Sequence, residues 1–337
     1  MGAAFRRHAP AIGMVLAAVL VLALPLAVTD RYLLKVFMFV GLNVIVVAGM
    51  ALLFGYAGQV SLGHAAFVGI GAYACGFLAS KGGWPWPAAV AAAVALSAAG
   101  GLALALPSLR LRGHYLAMAT LGFSVIANIA FVEAKGITGG NDGLSGIPVP
   151  VLGPLALDPA VSNYLLVTAV AIVALFLASG VTRGRPGRAM TALHGSELGA
   201  LACGVDAMRV KVTAFTVSAG LAGLSGALYA LTVGFVSPTS FALETSIILL
   251  AMVVLGGTRS LAGPVLAAIG LTLLTYVDAV IPGLSKGTVA FLQDWKGDIY
   301  GLVIVLVMLF APAGLSGIVR ALRARAGAQV GVEAGDA

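Results

Sequence analysis

The sequence predicts an all-α protein, a polytopic bundle of helices that crosses a membrane many times. Hydrophobic residues make up 61% of the 337 residues and charged residues only 9%, and the mean hydropathy is +1.08. Soluble domains contain about 45–50% apolar and about 25% charged residues. The apolar residues form long unbroken runs, which predict membrane helices, whereas the strands of a membrane barrel alternate. Because lipid offers the backbone no hydrogen bonds, such runs must span as helices.

The first apolar run covers residues 11–29 and follows Arg6 and Arg7. It fits a first span or a signal peptide, but it exceeds the usual signal core of about 7–15 residues and lacks a clear small-residue cleavage site. Further runs of spanning length predict about ten spans in a single transmembrane domain, residues 1–337. These runs lie near 34–54, 60–80, 87–107, 114–133, 163–181, 210–236, 243–257, 263–281 and 299–318.

Glycine is the most conspicuous residue of the predicted spans. It accounts for 45 of the 337 residues, against about 7% in average proteins. Small residues let membrane helices approach closely, so the clusters 63–71 and 220–226 predict tight packing. Within 243–281, four residues interrupt the run, which fits either two full spans or one broken helix pair. They are Gly256, Gly257, Gly263 and Pro264.

Charges in the short loops predict the orientation of the bundle. Membrane proteins keep the Lys and Arg residues of short loops in the cytoplasm. With a basic N-terminus inside and an even number of spans, loops 134–162 and 282–298 fall outside, and both termini are cytoplasmic. The basic residues then expected inside are Arg110, Arg112, Arg183, Arg185, Arg188, Arg209, Lys211, Arg259, Arg320, Arg323 and Arg325.

Several function classes are disfavoured by what the sequence lacks. The formal charge of +7 comes from short loops, so no nucleic-acid partner is expected. Cys75 and Cys203 are isolated and are predicted to be buried thiols, without a disulfide or a metal site. The four histidines form no HExxH motif, so neither a zinc enzyme nor any cofactor is expected.

Carboxylates are predicted only near the ends of spans. Glu133, Glu244 and Asp278 all fall there, whereas carriers driven by protons or sodium place titratable groups near the middle of the membrane. A secondary carrier is therefore the weaker alternative, and the energy for transport is expected to come from another chain.

The loop 183–209 is the longest arginine-rich segment between two spans. Pro186 and Gly187 are expected to break the preceding span, and Ser196 to cap a short helix with Glu197 in its first turn. Small residues follow, and Gly204 is expected to stop the helix. The pattern predicts a short helix with a surface of small residues, which fits either a partner's groove or an ordinary interfacial loop.

Three polar residues, Gln59, Ser61 and His64, lie at the start of a small-residue span. The i, i+3 spacing places Ser61 and His64 on one face. They fit a substrate path, since polar groups in lipid are otherwise costly, or hydrogen bonds between helices. A catalytic Ser/His pair is disfavoured, because nothing marks an orienting partner or an oxyanion hole. No catalytic residue is therefore expected.

The loop 137–148 is rich in Gly, Asn and Asp, which predicts consecutive turns. It also fits a docking site for a soluble protein on the outer side. The residues that define this candidate site are Gly140, Asn141, Asp142 and Gly143.

Five stretches resemble the branched-chain amino acid permease family of ATP-binding-cassette importers. They are GYAGQVSLGHAAFVGIGAYACGFL at 55–78, LRLRGHYLAMATLGF at 109–123, ITGGNDGLSGIP at 137–148, AGLAGLSGALYA with GFVSPTSF at 219–241 and MVVLGGTRSLAGPVLAA at 252–268. The likeness covers roughly residues 35–318 in the family's order. Segment 187–206 is also similar to the ATPase-contacting loop of such permeases, but Thr191, His194 and Gly195 replace its usual charged start.

The resemblance implies a permease subunit of a bacterial inner membrane with a BtuC-like, type II, architecture and no catalytic activity. It implies four kinds of partner: a second homologous permease, two ATPase subunits, an external substrate-binding protein and membrane lipid. Leucine, isoleucine and valine are the expected substrates, with urea, amides and aromatic acids as alternatives. The residues it assigns to ATPase coupling are Arg188, Glu197, Gly199, Ala200 and Gly204.

Overall fold

The computed structural model describes residues 21–27, 30–108, 113–150, 158–257 and 260–277, together with Leu111 and single positions between 295 and 317. Most of the predicted first span and the predicted span 299–318 lie outside these residues. So do Arg110, Arg112, Arg259 and Asp278.

Helices dominate the described residues. They are α1 Leu24–Ala27, α2 Arg31–Met50, α3 His64–Ser80, α4 Trp86–Ser108, α5 His114–Glu133, α6 Lys135–Thr138, α7 Pro159–Arg183, α8 Arg185–Gly195, α9 Glu197–Ala202, α10 Ala207–Val233, α11 Leu243–Gly256 and α12 Ala262–Thr275. Strands β1 Leu144–Ser145 and β2 Phe235–Val236 pair antiparallel. A π-helical turn, Ala51–Tyr56, extends α2, and 3₁₀ turns cover Gly140–Asp142 and Pro238–Phe241.

Six of these helical stretches, among the described residues, are long and apolar enough to cross a membrane. They contain α2, α4, α5, α7, α10 and α11, and each overlaps a predicted span. Helices α3 and α12 are apolar but shorter, because the predicted span 60–80 becomes helical only at His64. The described residues of 243–281 form two separate helices, α11 and α12, and Gly256 lies against Pro264.

Helix ends follow local capping chemistry. The carboxylates of Asp30, Asp158 and Asp206 accept hydrogen bonds from backbone N–H groups at the starts of α2, α7 and α10, and the Ser196 hydroxyl does so for α9. These side chains satisfy N–H groups that have no partner inside the helix. The starting points of four helices are thus fixed by the sequence beside them.

Helix α10 lies at the centre of the bundle and packs most extensively against α4, α3 and α2. Glycines allow this contact. A Cβ atom on Gly71 would collide with the Gly223 backbone, and one on Gly226 would collide with the Val68 carbonyl. The predicted tight packing of the glycine clusters is confirmed, since α3 and α10 touch backbone to backbone.

The bundle has two ends, defined by the direction of α10. We call the end where α10 begins the lower end; it carries α8 and α9. The end where α10 finishes is the upper end, and it carries β1, β2 and the loop after α5. The start of α2 also lies at the upper end, where Arg31 pairs with Asp158 at 2.7 Å.

Candidate functional site

Helices α2 and α3 are joined by a break inside the bundle. The last part of α2 winds as the π-helical turn, and residues 57–63 are not helical. Gly58 starts this loop with φ +67°, a conformation that residues other than glycine rarely adopt. We call residues 51–63 the helix break. Both π-helical turns and interrupted membrane helices are common at functional sites.

His64 lies at the point where the chain becomes helical again, and it is fully buried. Its Nδ1 is 3.1 Å from the Ser61 hydroxyl, and its Nε2 is 2.7 Å from the Ser218 hydroxyl on α10. Both ring nitrogens therefore have protein partners. The sequence placed Ser61 and His64 on one face of a helix, but Ser61 precedes the helix, and the two side chains meet because Ser61 lies in the loop that leads into α3.

Two further hydroxyls hold the break in place. The Leu62 N–H donates to Thr120 Oγ1 on α5 at 2.9 Å, and the Ala65 N–H donates to Ser246 Oγ on α11 at 3.0 Å. Backbone N–H groups at a helix start need such acceptors when no water is present. We call Ser61, His64, Thr120, Ser218 and Ser246 the polar junction; it ties the break to α5, α10 and α11.

Gln59 differs from Ser61 and His64. It is only partly buried, and its side-chain amide donates to the nearby Ala57 carbonyl at 3.2 Å. His64 makes a bond between helices, to Ser218 on α10, which was one of the two expectations for this segment, whereas Ser61 bonds locally to His64 and to the Gly63 N–H. Of the three candidates, Gln59 alone is only partly buried, whereas Ser61 and His64 are buried.

We call residues 183–209 the lower-end segment. It contains two helices where the sequence predicted one. Helix α9 is the expected one, because Ser196 Oγ accepts from the Gly199 N–H at 3.1 Å and Gly204 turns the chain with φ +79°. Helix α8 precedes it and starts with Pro186 in its first turn. Pro186 thus begins a new helix after a break at Gly184. The i, i+3 spacing of buried Gly187 and Met190 could have revealed α8.

Helix α8 is fastened to the helix break. His194 Nδ1 lies 3.0 Å from the Gly55 carbonyl, so this nitrogen carries the proton and donates. The ring also covers Gly58, where a Cβ atom would lie 3.0 Å from His194 Cδ2. His194 thereby links the lower-end segment to the π-helical turn.

Helix α9 is fastened to α10 by an ion pair. Lys211 Nζ lies 2.9 Å from Glu197 Oε1, and the two side chains are 7% and 25% exposed. Lys211 was predicted to be a loop cation facing the cytoplasm, but it points into the protein. Burial of a lysine requires a partner of opposite charge.

The remaining candidate coupling residues point in different directions. Arg188 and Gly199 are exposed, Ala200 is buried, and Gly204 forms the exposed turn. The surface of α9 is not made of small residues alone, since Leu198 is 77% exposed and Leu201 is 48% exposed. The prediction that Cys203 is buried is wrong: it follows the last residue of α9 and is exposed, whereas Cys75 is buried as expected.

The glycine-rich loop forms an ordered cap at the upper end. Gly140 is buried, while Asn141 and Asp142 are exposed. Gly143 has φ +75°, and a Cβ atom there would collide with the Val236 carbonyl of β2. Asn141 and the α8–α9 segment therefore lie at opposite ends of α10.

Carboxylates lie at helix ends in the described part of the chain. Glu133 ends α5 and Glu244 stands in the first turn of α11. His64 and Lys211 are further titratable side chains that are buried in the protein.

The family model and the first two relatives that this chain resembles carry the same description, a permease for branched-chain amino acids. A family model described as branched-chain amino acid transport system / permease component matches residues 32–312. The high-affinity branched-chain amino acid transport system permease protein LivM of Escherichia coli K12 is 34% identical over 318 residues, which are 87% of this chain and 70% of that protein. LivM of Salmonella typhimurium LT2 is 34% identical over 298 residues, 82% of this chain and 66% of that protein.

The autoinducer 2 import system permease protein LsrC of Escherichia coli DH10B is 30% identical over 179 residues, 51% of this chain and 49% of that protein. No solved structure gives a significant match. The chain spans about two thirds of the length of the LivM proteins. Because the family model covers most of the chain in one continuous match, the chain belongs to the family of branched-chain amino acid transport system permease components.

Proposed function

We propose that this chain is the inner-membrane permease subunit of an ATP-binding-cassette importer for branched-chain amino acids. The observation that carries the proposal is the family match over residues 32–312, supported by 34% identity to two LivM proteins. The substrates are leucine, isoleucine and valine. The full domain has about ten spans in a type II, BtuC-like arrangement.

The importer contains a second permease, two ATPase subunits and an external binding protein. The sequence has no GxxxxGK[ST] motif, the loop that cradles nucleotide phosphates, so ATP is hydrolysed in another chain. Purified alone, this chain should neither hydrolyse ATP nor transport. Uptake that proceeds without an ATPase subunit would instead identify a secondary carrier.

The lower-end segment receives the movement of the ATPases. Two contacts support this proposal: His194 binds the π-helical turn, and Glu197 binds the start of α10. The helix break leads into α3, and His64, the first residue of α3, binds Ser218 on α10 inside the bundle. A shift of α8 and α9 therefore acts on both sides of the polar junction.

The helix break forms part of the substrate path. Non-helical backbone inside a membrane protein is tolerated where it is buried in protein or lines a cavity. Hydroxyl groups on α5 and α11 accept hydrogen bonds from the end of the break and the start of α3, and Gln59 within the break is partly exposed. Gln59 is thus the side chain best placed to touch a substrate.

The lower end faces the cytoplasm, together with both termini, and the upper end faces outward. This orientation is supported by Arg183, Arg185, Arg188 and Arg209 in the lower-end segment. With Cys75 and Cys203 replaced by alanine, a cysteine at Asn141 should react with an impermeant thiol reagent in spheroplasts, and one at Ser196 should not. The reverse labelling pattern would invert the topology.

A wedge on α9 tests the coupling role. Gly199→Trp adds a large side chain to the exposed face of α9, and uptake should fall at least about tenfold, or roughly 1.4 kcal/mol in a rate. Because a Cβ at Gly199 lies 3.3 Å from the Ser196 hydroxyl, Ala202→Trp serves as a second wedge away from the cap. Uptake and ATPase stimulation by loaded binding protein are measured in the reconstituted importer.

Gly180→Trp is the matched control. Gly180 is an exposed glycine near the lower end of α7 with open space around its Cα. The Gly180→Trp variant should accumulate in the membrane and support normal uptake. If both wedges also transport normally at equal expression, α9 is an interfacial loop and the coupling contact lies elsewhere.

A further inference from the structure

Glu197 is turned toward its own chain. Residues 197 and 200 form the inner side of α9: the Glu197 carboxylate meets Lys211, and Ala200 is buried. Leu198, Gly199 and Leu201 are exposed on the outer side. A partner that docks on α9 from outside would therefore meet the outer side first.

The burial of Lys211 makes its ion pair with Glu197 important for stability. Lys211 is 5% exposed, lies near the start of α10, and donates a hydrogen bond from its ammonium group to Glu197. A buried charge is tolerated when an opposite charge faces it, and removal of that partner is strongly destabilising. The carboxylate of Glu197 therefore neutralises a buried charge within this subunit.

Helix α9 needs such an anchor. It contains six residues, too few for a helix to be stable in isolation. Only Cys203–Asp206 separate it from α10. Its position thus depends on its contacts, and the ion pair joins it to the central helix of the bundle.

We propose that Glu197 and Lys211 form an internal clamp that holds α9 at a fixed position on α10. Both are positioning residues for coupling, and the ATPase is contacted by the outward residues of α9. This inference rests on the proposed function, because it specifies how the coupling segment is held. It removes Glu197 from the ATPase contact surface that the family resemblance implies.

The variants that test the clamp are Glu197→Gln, Lys211→Met, both together, and the exchange Glu197→Lys with Lys211→Glu. Arg209→Met is the matched control, since it also removes a cation from the first turns of α10. Arg209 pairs with Asp206 at 2.9 Å, but that pair is exposed, and exposed ion pairs contribute little.

In the reconstituted importer, Glu197→Gln and Lys211→Met should each lower uptake at least about tenfold, because each breaks the partly buried ion pair that holds α9. The double variant should be no worse than Glu197→Gln, because both changes remove the same contact. The exchanged pair should recover part of the uptake, and Arg209→Met should be near normal.

A spin label on Cys203 gives a readout that does not depend on transport. Cys203 is exposed beside the last turn of α9 and Cys75 is buried, so the full chain in nanodiscs should be labelled at Cys203; Cys203→Ala verifies this. The motion of the spin label should be slow in the unaltered chain, in Arg209→Met and in the exchanged pair. The label should become more mobile in both single variants.

Three results would overturn the clamp: normal uptake by Lys211→Met, additive losses in the double variant, or unchanged label mobility in the single variants. Any of them would return Glu197 to direct contact with the ATPase. Because label mobility is measured without the partners, failure of the clamp is distinguishable from failure of the importer assignment, in which the unaltered complex shows no ATP-dependent uptake.

Discussion

The contact between α3 and α10 has two parts of different chemistry. In the upper part, Gly71 and Gly226 bring the two backbones into direct contact. In the lower part, the helices are joined by a hydrogen bond between His64 and Ser218, next to the helix break. Backbone contact at glycine gains dispersion energy over a wide surface but permits little displacement. Side-chain hydrogen bonds can be exchanged, so movement between these helices should occur in the lower part.

The largest effect, a loss of stability, is expected from Gly226→Val, which disrupts the upper part of the α3–α10 contact. The added Cβ would collide with the Val68 carbonyl. The cost should exceed the about 1–3 kcal/mol of ordinary overpacking, because the atom struck belongs to the backbone. The variant should fail to accumulate in the membrane, as measured by immunoblotting and by thermal stability in detergent.

Gly220→Ala is the control on the same helix. A Cβ at Gly220 lies 3.6 Å from Ala98 Cβ, an ordinary contact, and alanine favours the helix by about 1 kcal/mol. This variant should be normal or more stable. Normal accumulation of Gly226→Val would show that α3 and α10 are able to separate in the upper part of their contact. The proposed difference between the upper and lower parts would then be wrong.

An intermediate effect is expected from Ser218→Ala in the lower part. The change leaves His64 Nε2 buried without its partner at 2.7 Å, which costs about 1–3 kcal/mol. The protein should still accumulate, since the upper contact remains, while uptake per molecule should fall by about tenfold. Both quantities are measured in the same membranes.

Ser225→Ala controls for the loss of a buried hydroxyl. Ser225 lies on the same helix and donates to the Leu42 carbonyl at 2.9 Å, away from the junction. It should lower stability by about 1 kcal/mol with near-normal uptake per molecule. Equal losses of uptake in the two variants would mean that the polar junction has no special part in transport.

The smallest effect is expected from Gln59→Ala. Its side-chain amide donates a hydrogen bond to the Ala57 carbonyl, which lies within the break. If Gln59 touches the substrate, loss of one hydrogen bond should raise the half-saturating concentration for uptake about threefold. Accumulation should not change. A lower maximal rate at unchanged half-saturation would assign Gln59 to movement of the break.

The sequence predicted features that depend on neighbouring residues. Ser196, Glu197 and Gly204 predicted α9, because caps and left-handed glycines act within one turn of the chain. Glycine spacing predicted close helix contact, since the spacing places the glycines along a helix surface. The apolar runs predicted the six candidate spans that the described residues contain.

Features that depend on distant partners could not be predicted in this way. Ser218 is 154 positions from His64, and no periodicity of one helix reveals which residue another helix presents to it. The burial of Lys211 likewise depends on how α9 folds back onto α10. The exposure of Cys203 follows from the same fold, since small neighbours predict burial only when another element covers them.

The π-helical turn at residues 51–56 determines where α2 can tolerate the deletion of a residue. Each residue of an α-helix turns the chain by about 100°, so deleting a residue from most of α2 would rotate every later side chain away from its neighbours. A π-helical turn bonds residue i to i+5 and holds one residue more than an α-helical turn. Deleting one residue there would return the turn to α-helical form while the flanking residues kept their faces. Length variation among homologous permeases should therefore be tolerated at this turn, and poorly elsewhere in α2.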